Sequence, residues 1–325
     1  MKSRTKFQAD FALITEMFAK AGLPAPEHAE PLGAGEFNTV MSVTAGANKY
    51  ALKIAPSAST PVLRYERNMM QAEVYWYDAI AKSGAVAVPT VIYSDFSRTL
   101  APADWFIMTQ IEGVHPTTDA MGNMDRAATE LLAGLAARLN NVHCEKFGYV
   151  QGKEHDDWHS AIRAMVCDLI ADASDKKKSS RRGEKLLRYI DLYADVLRKA
   201  ECRMVNFDLW SANVFLTADG GGLCLIDPER SFRGDRVADF VCLEMTKKLD
   251  DKCISFAAYN RQSDSPISIT REIKIRYAVA AAYLALIQEV EKYYRYTPFM
   301  FGWWRNVFSS AFLYSNAFRI LKSSK

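Results

Sequence analysis

The chain has 325 residues, of which 49% are hydrophobic and 24% charged, a composition typical of a folded globular protein large enough for two lobes. Lys and Arg (41) exceed Asp and Glu (38) by only three, and this charge is spread along the chain, so it predicts neither a nucleic-acid nor a membrane partner. Six cysteines without a CxxC pair are typical of reduced thiols in a cytoplasmic protein. No apolar run reaches the ~20 residues of a membrane span, and we expect no secretion signal.

Hydrophobic periodicity divides the chain into a β-rich and a helical part. Apolar residues at positions 7, 11, 14 and 18 share one helical face, which predicts a helix that ends at Gly22. Between 30 and 112, glycine turns separate short β-rich runs (39–43, 49–54, 90–94 and 105–110), with one helical stretch from about 65 to 82. After Gly113 and Pro116 the pattern is mainly helical. The sequence therefore predicts a small sheet that carries one helix, followed by a larger helical lobe.

A loop with two glycines opens the β-rich part. Gly33 and Gly35 allow backbone amides to approach an anion closely, and Asn38 tolerates a left-handed backbone almost as well as glycine does. Such a loop can cover a phosphate group, although most glycine hairpins are only turns between strands. The neighbouring residues are needed to distinguish a phosphate-binding loop from an ordinary turn between strands.

The β-run that follows contains a lysine among apolar neighbours, in Tyr50-Ala51-Leu52-Lys53-Ile54. A cation in such surroundings requires an anion. Glu66 and Glu73 in the next helical stretch are seven residues apart, on nearly the same helical face, and either could pair with Lys53 while the lysine holds phosphate oxygens. We favour Glu73.

Three residues with side-chain oxygens lie where the large lobe breaks its helical pattern. Residues 204–227 are predicted to form a turn, a strand, a glycine reversal and a second strand, and they contain Asp208, Asn213 and Asp227. Phosphoryl transfer requires a carboxylate that positions the acceptor hydroxyl, together with oxygen ligands for Mg²⁺. Asp208 suits the first role, and Asn213 and Asp227 suit the second. A purely structural interpretation, with turn caps and a strand end, does not account for the lysine upstream.

Together these motifs resemble the aminoglycoside phosphotransferase and choline kinase group of small-molecule kinases. The resemblance covers residues 30–245 and is most specific in Asp208-Leu-Trp-Ser-Ala-Asn213, Ile226-Asp227 and Gly234-Asp235-Arg-Val-Ala-Asp239-Phe. It implies an α+β, two-lobed fold like that of protein kinases. Residues 1–111 would form the lobe with a small antiparallel sheet and one main helix. Residues 112–325 would form the helical lobe, with the catalytic and metal-binding strands and the acceptor pocket.

The same resemblance implies an activity and a set of site residues. The chain would transfer the γ-phosphate of ATP, with Mg²⁺, to a hydroxyl of a small aminoglycoside-, choline- or amino-sugar-like molecule. Asp208 would be the catalytic aspartate, and Asn213 and Asp227 the magnesium ligands. The residues that would contact the nucleotide are Gly33, Gly35, Asn38, Lys53, Glu73, Gln110, Ile111 and Glu112. Asp235 and Asp239 would be scaffold.

Two departures from the family pattern leave an alternative open. The family usually has His-Gly where this chain has Asn206-Phe207, and commonly a tryptophan where it has Pro228. A nucleotide- or metabolite-binding protein without phosphoryl transfer is therefore the alternative. A protein kinase is less favoured, because the twelve residues from Asp227 to Asp239 leave no room for a long activation loop.

The acceptor cannot be ranked from the sequence, because acids would hold the ammonium groups of an aminoglycoside and aromatic faces would hold choline. We expect most acidic candidates to lie on solvated helix faces, and the aromatic C-terminal segment to pack in the core. The acidic candidates are Asp156, Asp157, Glu244, Asp250, Asp251, Glu289 and Glu291, and the aromatic ones are Tyr293, Tyr294, Tyr296, Phe299, Phe301, Trp303 and Trp304.

Overall fold

A computed structural model describes residues 6–33, 37–120, 122–217, 221–244, 249–250 and 253–324. The elements of its smaller lobe are α1 (Phe11–Lys20), β1 (Pro26–Pro31), β2 (Thr39–Ala45), β3 (Asn48–Ile54), α2 (Met69–Ser83), β4 (Val91–Asp95) and β5 (Trp105–Thr109). The strands form an antiparallel sheet in the order β1-β2-β3-β5-β4.

The larger lobe is mainly helical. Its helices are α3 (Arg126–Asn140), α4 (Trp158–Asp175), α5 (Arg181–Leu192), α6 (Ala194–Arg198), α7 (Phe240–Leu243), α8 (Ile254–Asn260), α9 (Arg271–Arg295) and α10 (Phe301–Ser323). Its strands are β6 (Arg203–Val205), β7 (Val214–Leu216), β8 (Leu223–Leu225) and β9 (Phe232–Gly234). They form two short two-stranded sheets, which pair β6 with β9 and β7 with β8. The predicted α+β, two-lobed architecture is confirmed.

The two faces of the small sheet pack against different helices. Because side chains alternate along a strand, Leu52 and Ile54 of β3 join the apolar cluster beneath α1, whereas Ala51 packs on the opposite face with Tyr77 of α2. Lys53 follows the same alternation and is directed toward α2. The strand pattern thus determines which helix supplies the partner of the lysine.

Helix α2 joins the two lobes. The indole nitrogen of Trp76 donates to the carbonyl of Ser231 in the large lobe at 3.1 Å. Trp76 and Ile80 are buried in the same apolar cluster as the helices of that lobe. A residue on α2 therefore has a fixed position relative to both lobes.

Two differences from the sequence predictions have local causes. Strand β1 was not predicted, because its sequence, Pro-Glu-His-Ala-Glu-Pro, is proline-bounded and polar, yet it pairs with β2. Helix α1 begins only at Phe11, because the Asp10 side chain caps it by accepting from Leu13 N at 2.9 Å. Phe7 therefore lies outside the helix.

The C-terminal aromatic segment does not pack in the core as expected. Phe299, Phe301 and Trp304 are exposed, whereas the opposite face of α10 packs against α9.

Within the part of the chain that the structure describes, no helix combines the length and the apolar content needed to cross a membrane.

Gly234 permits close aromatic packing beside the Gly234-Asp235 block. A Cβ there would lie 2.6 Å from the Phe232 ring and 2.7 Å from the Trp158 ring, and these two rings are stacked at 5.5 Å. We expect Gly234→Ala to lower the free energy of unfolding by about 1–3 kcal/mol through overpacking, measured by chemical denaturation.

Gly152→Ala is the matched control, because its Cβ would meet its nearest neighbour, the Tyr149 carbonyl, at an ordinary 3.5 Å. This variant should unfold within about 0.5 kcal/mol of the parent. Equal stability of the two variants would contradict the packing argument.

Candidate active site

A buried lysine lies at the centre of the cleft between the lobes. The Nζ atom of Lys53 is 2.7 Å from the Glu73 carboxylate, 2.6 Å from Asp227 and 3.2 Å from Glu229, and the lysine side chain is 4% exposed. Burial alone would lower the pKa of Lys53, but the three carboxylates outweigh it and hold the pKa well above its usual range. The amine is therefore a fixed positive charge.

The structure places Glu73, and not Glu66, against Lys53. Glu73 lies on the face of α2 that packs on the sheet, whereas Glu66 precedes the helix in the short 3-10 turn Arg64–Glu66. The sequence argument treated both as members of one continuous helix. Because α2 begins at Met69, Glu66 is directed elsewhere, toward Arg295.

The hairpin of β7 and β8 brings Asn213 and Asp227 together. Val214 pairs with Leu225, and the amide of Ile226 donates to the Asn213 carbonyl at 2.9 Å, so the two flanking side chains meet at one end of the hairpin. Both line a cavity of about 580 Å³ that also contains Lys53.

These two side chains suit a magnesium ion chemically. The amide nitrogen of Asn213 donates to the Asp208 carboxylate at 3.1 Å and to its carbonyl at 2.8 Å, which leaves the amide oxygen available on the other side. The side chain of Asp227 is partly exposed to the cavity. A carboxylate and an amide oxygen are ligands that Mg²⁺ accepts.

Asp208 is held in a tight turn at the edge of this cluster. Phe207 before it has a left-handed backbone with φ 61°, and its amide donates to the buried Asp239 carboxylate at 2.7 Å. The carboxylate of Asp208 accepts from the Trp210 indole at 2.6 Å. Burial raises the pKa of Asp208 above its usual range, and the guanidinium of Arg230 opposes this shift.

The departure at Asn206 keeps a supporting hydrogen bond. Its side-chain oxygen accepts from the Asp208 amide at 3.0 Å, and its amide nitrogen lies 3.4 Å from the hydroxyl of Ser231. Asn206 thus fixes the backbone that carries Asp208. Asparagine, in place of the histidine usual in the family, therefore still supports the turn.

The other end of the cavity contains part of the predicted nucleotide contacts. Gly33, which has φ 77°, lines it together with Gln110 and Ile111. The side chain of Glu112 is exposed and pairs with Lys49 at 2.7 Å. Gly35 lies outside the described residues.

Glu229 is a site residue that sequence reasoning missed. Its carboxylate accepts from the Asn38 side-chain amide at 2.8 Å and also contacts Lys53, so it connects the glycine loop to the lysine. Burial, followed by the neighbouring Asp227 carboxylate, raises the pKa of Glu229 to about 7. The oxygens of Glu73, Asp227 and Glu229 lie within 4.8 Å of one another, but the Lys53 ammonium already sits among them. The position of Glu229, two residues after Asp227, is the only sequence signal that could have indicated this residue.

Alternating charges extend from Asp208 to the small lobe, and sequence reasoning missed this arrangement too. Arg230 lies 4.0 Å from the Asp208 carboxylate and 3.3 Å from Glu291. Arg295 lies 2.7 Å from Glu291 and 2.5 Å from Glu66. We call these five residues the charge ladder. The Glu291–Arg295 spacing of four residues on α9 was the available signal, but it did not reveal the distant partners.

The arrangement combines a buried cation with two side chains whose oxygens suit a metal ion, and the Asp208 carboxylate is hydrogen-bonded to one of these side chains. Residues 28–255 match the family model described as the phosphotransferase enzyme family, APH. The chain belongs to this family and is therefore a phosphotransferase.

Solved structures with the same fold include several small-molecule kinases. A candidate fructosamine-3-kinase from Haemophilus somnus 129PT is 16% identical with a TM-score of 0.67, covering 94% of this chain and 96% of its own. The choline kinase LicA of Streptococcus pneumoniae is 13% identical with a TM-score of 0.63, covering 96% and 98%. The aminoglycoside phosphotransferase APH(2'')-Ib, bound to ADP, is 16% identical with a TM-score of 0.59, covering 96% and 99%. No curated protein matches the chain.

Arg295 balances two buried glutamates at once, so its removal should be costly. We expect Arg295→Met to lower the free energy of unfolding by about 3–5 kcal/mol, because Glu66 and Glu291 both lose a partner while buried. Arg126→Met, which breaks an exposed pair with Glu130, should change it by less than about 1 kcal/mol. Chemical denaturation of both variants measures the two changes in the free energy of unfolding. Losses of similar size would show that the charge ladder does not stabilise the fold.

Proposed function

We propose that the protein transfers the γ-phosphate of Mg²⁺-bound ATP to a hydroxyl of a small molecule. The observation that carries this proposal is the convergence of Lys53, Asn213 and Asp227 on one cavity, with Asp208 joined to it through the Asn213 amide. These residues come from both lobes and are up to 174 residues apart in sequence. A structural role alone would not require four such side chains around one cleft.

Each residue has a defined part in this proposal. Lys53, oriented by Glu73, holds phosphate oxygens, and the loop with Gly33 and Asn38 covers them. Asn213 and Asp227 hold the magnesium ion, which neutralises charge on the triphosphate. Adenine would bind beside the backbone from Gln110 to Glu112, of which Gln110 and Ile111 line the cavity.

Asp208 orients the acceptor hydroxyl and takes up its proton. Its carboxylate is fixed by the Trp210 indole and the Asn213 amide, which restricts the direction from which a hydroxyl can approach. The neighbouring cation Arg230 favours the ionised form that accepts a hydrogen bond from the hydroxyl.

The acceptor is a small molecule. All but two of the residues from Pro228 to Asp239 lie in the turn Pro228–Arg230, strand β9 and the turn Arg236–Asp239. No described segment there could dock a peptide as an activation loop does. The related structures carry the names of fructosamine, choline and aminoglycoside kinases, which defines the panel of acceptors to test. None of the six cysteines forms a disulfide, which supports a cytoplasmic location.

Replacing Asp208 separates catalysis from nucleotide binding. Asp208→Asn should reduce turnover by about 10²–10⁴, the usual scale for a lost acid–base group, because the acceptor hydroxyl loses its proton acceptor. The affinity for Mg·ATP should stay within about twofold, since Asp208 does not line the nucleotide cavity. ADP release across the acceptor panel and calorimetry measure the two effects.

Asp195→Asn, on a side chain that is 95% exposed on α6, is the matched control and should keep full activity. Full turnover by Asp208→Asn would remove this residue from catalysis. Tight nucleotide binding by the parent without ADP release from any acceptor would favour the alternative of a binding protein.

Replacing Asp227 tests the metal site. We expect magnesium to strengthen ATP binding to the parent protein and to have little effect on Asp227→Asn, because the variant lacks the carboxylate ligand. The measured quantity is the ratio of dissociation constants with magnesium and with a chelator, so a general loss of affinity near Lys53 does not affect the conclusion. Asp195→Asn, fully exposed on α6, should keep the ratio of the parent, and an unchanged ratio for Asp227→Asn would place the metal elsewhere.

A further inference from the structure

Helix α10 has an exposed aromatic face. Phe301, Trp304, Phe308 and Phe312 recur at three- and four-residue intervals, so they lie on one side of the helix. All four are exposed, Phe308 by 68% and Phe312 by 49%, and the exposed Phe299 precedes them. Single exposed aromatic residues are ordinary, but an adjoining set of five on one surface is typical of an interaction site.

Helix α5 places cationic side chains beside α10. Arg182 lies 5.2 Å from the ring of Tyr314, and Lys185 lies 4.4 Å from the ring of Phe318. Both contacts run in the same sequence direction, so α5 lies alongside α10 and parallel to it, on the flank that carries these two rings. Before α5, Lys176 lies 4.2 Å from the ring of Tyr294, near the end of α9 that leads into α10.

The charge of this surface differs from that of the rest of the molecule. Residues 176–188 contain seven basic and one acidic residue, and α10 contains three basic residues, Arg305, Arg319 and Lys322, and no acidic one. The remainder of the chain has 31 basic and 37 acidic residues. The net charge of +3 therefore conceals a strongly basic region. The exposed members between 176 and 188 are Lys177, Lys178, Arg181, Arg182, Lys185 and Arg188.

We propose that this aromatic–basic surface, formed by the exposed aromatic residues of α10 and the basic residues of 176–188 and α10, binds the protein to anionic lipid bilayers. Trp and Phe on one helix face, with Lys and Arg around them, are the composition that inserts at a bilayer interface. The long basic side chains can reach anionic headgroups while the rings enter the acyl boundary. A second copy of the chain fits less well, because two such surfaces would bring like charges together.

This surface binding is distinct from membrane spanning. The expectation of no membrane partner rested on a small net charge described as spread along the chain, whereas residues 176–188 and α10 together carry ten basic residues and one acidic residue. The proposal is also independent of the phosphotransfer site, because none of its residues lines the nucleotide cavity.

Vesicle flotation tests the proposal on the full chain. We expect the protein to float with phosphatidylcholine vesicles containing about 30% phosphatidylserine and to remain unbound with phosphatidylcholine alone. Salt at about 1 M should release it, since the screening length falls to about 3 Å. Phe308→Ser combined with Phe312→Ser should weaken the partition at least about tenfold, because the rings no longer enter the bilayer.

Matched controls and a second set of variants keep the test decisive. Phe11→Ser removes an aromatic side chain that is 48% exposed on α1 and should bind like the parent. Lys177→Glu with Lys178→Glu should abolish binding to the anionic vesicles, whereas Lys82→Glu on α2 should not. Failure to float with either vesicle would overturn the proposal, as would equal binding to both. Sedimentation that shows a dimer dispersed by the Phe308 and Phe312 changes would assign the surface to self-association instead.

Discussion

The buried ammonium of Lys53 determines how the two lobes are arranged. Transferring a charge from water into a protein interior costs several kcal/mol unless a partner is held close. Here the partners come from α2 and from the segment after β8, so Glu73, Asp227 and Glu229 must meet where β3 ends. This requirement fixes the distance between the small sheet, α2 and the β7–β8 hairpin, and it places Glu73 and Asp227 on the cavity wall.

Two strained backbone positions complete the site. Phe207 and Asp227 are not glycine, yet both have left-handed conformations, which cost on the order of 1–3 kcal/mol each. Hydrogen bonds from their amides to Asp239 and to the Tyr77 hydroxyl offset this cost. These conformations turn the chain sharply just before Asp208 and at Asp227, so that both carboxylates are directed toward the cleft. Asp239, which was expected to be scaffold, thus stabilises the strained turn at Phe207 by accepting a hydrogen bond from its amide.

The sequence could locate the parts of the site that depend on local pattern. An isolated lysine in an apolar run and an Asp-Asn-Asp spacing around a glycine reversal are visible without a structure, and the mixed two-lobed fold followed from the change in periodicity. The choice between Glu66 and Glu73 depended on the residue at which α2 begins. The left-handed backbone of Asn68 starts the helix at Met69, and hydrophobic periodicity does not show this boundary. Arg295 was not predictable, because its partner Glu66 lies 229 residues away. Strand β1 was missed because pairing with β2 overrides its poor intrinsic propensity.

The charge ladder has a consequence for how ligands enter and leave. Its last pair, Glu66 with Arg295, connects the segment before α2 to the end of α9, and the Arg295 guanidinium also lies over the ring of Phe37 at 4.7 Å. A rigid-body rotation that parted the lobes would pull this pair apart and leave the buried Glu66 carboxylate without its cation. The Glu66–Arg295 pair therefore holds the two lobes together on the side of the cleft where it lies, and this favours exchange of ligands without a large hinge motion between the lobes.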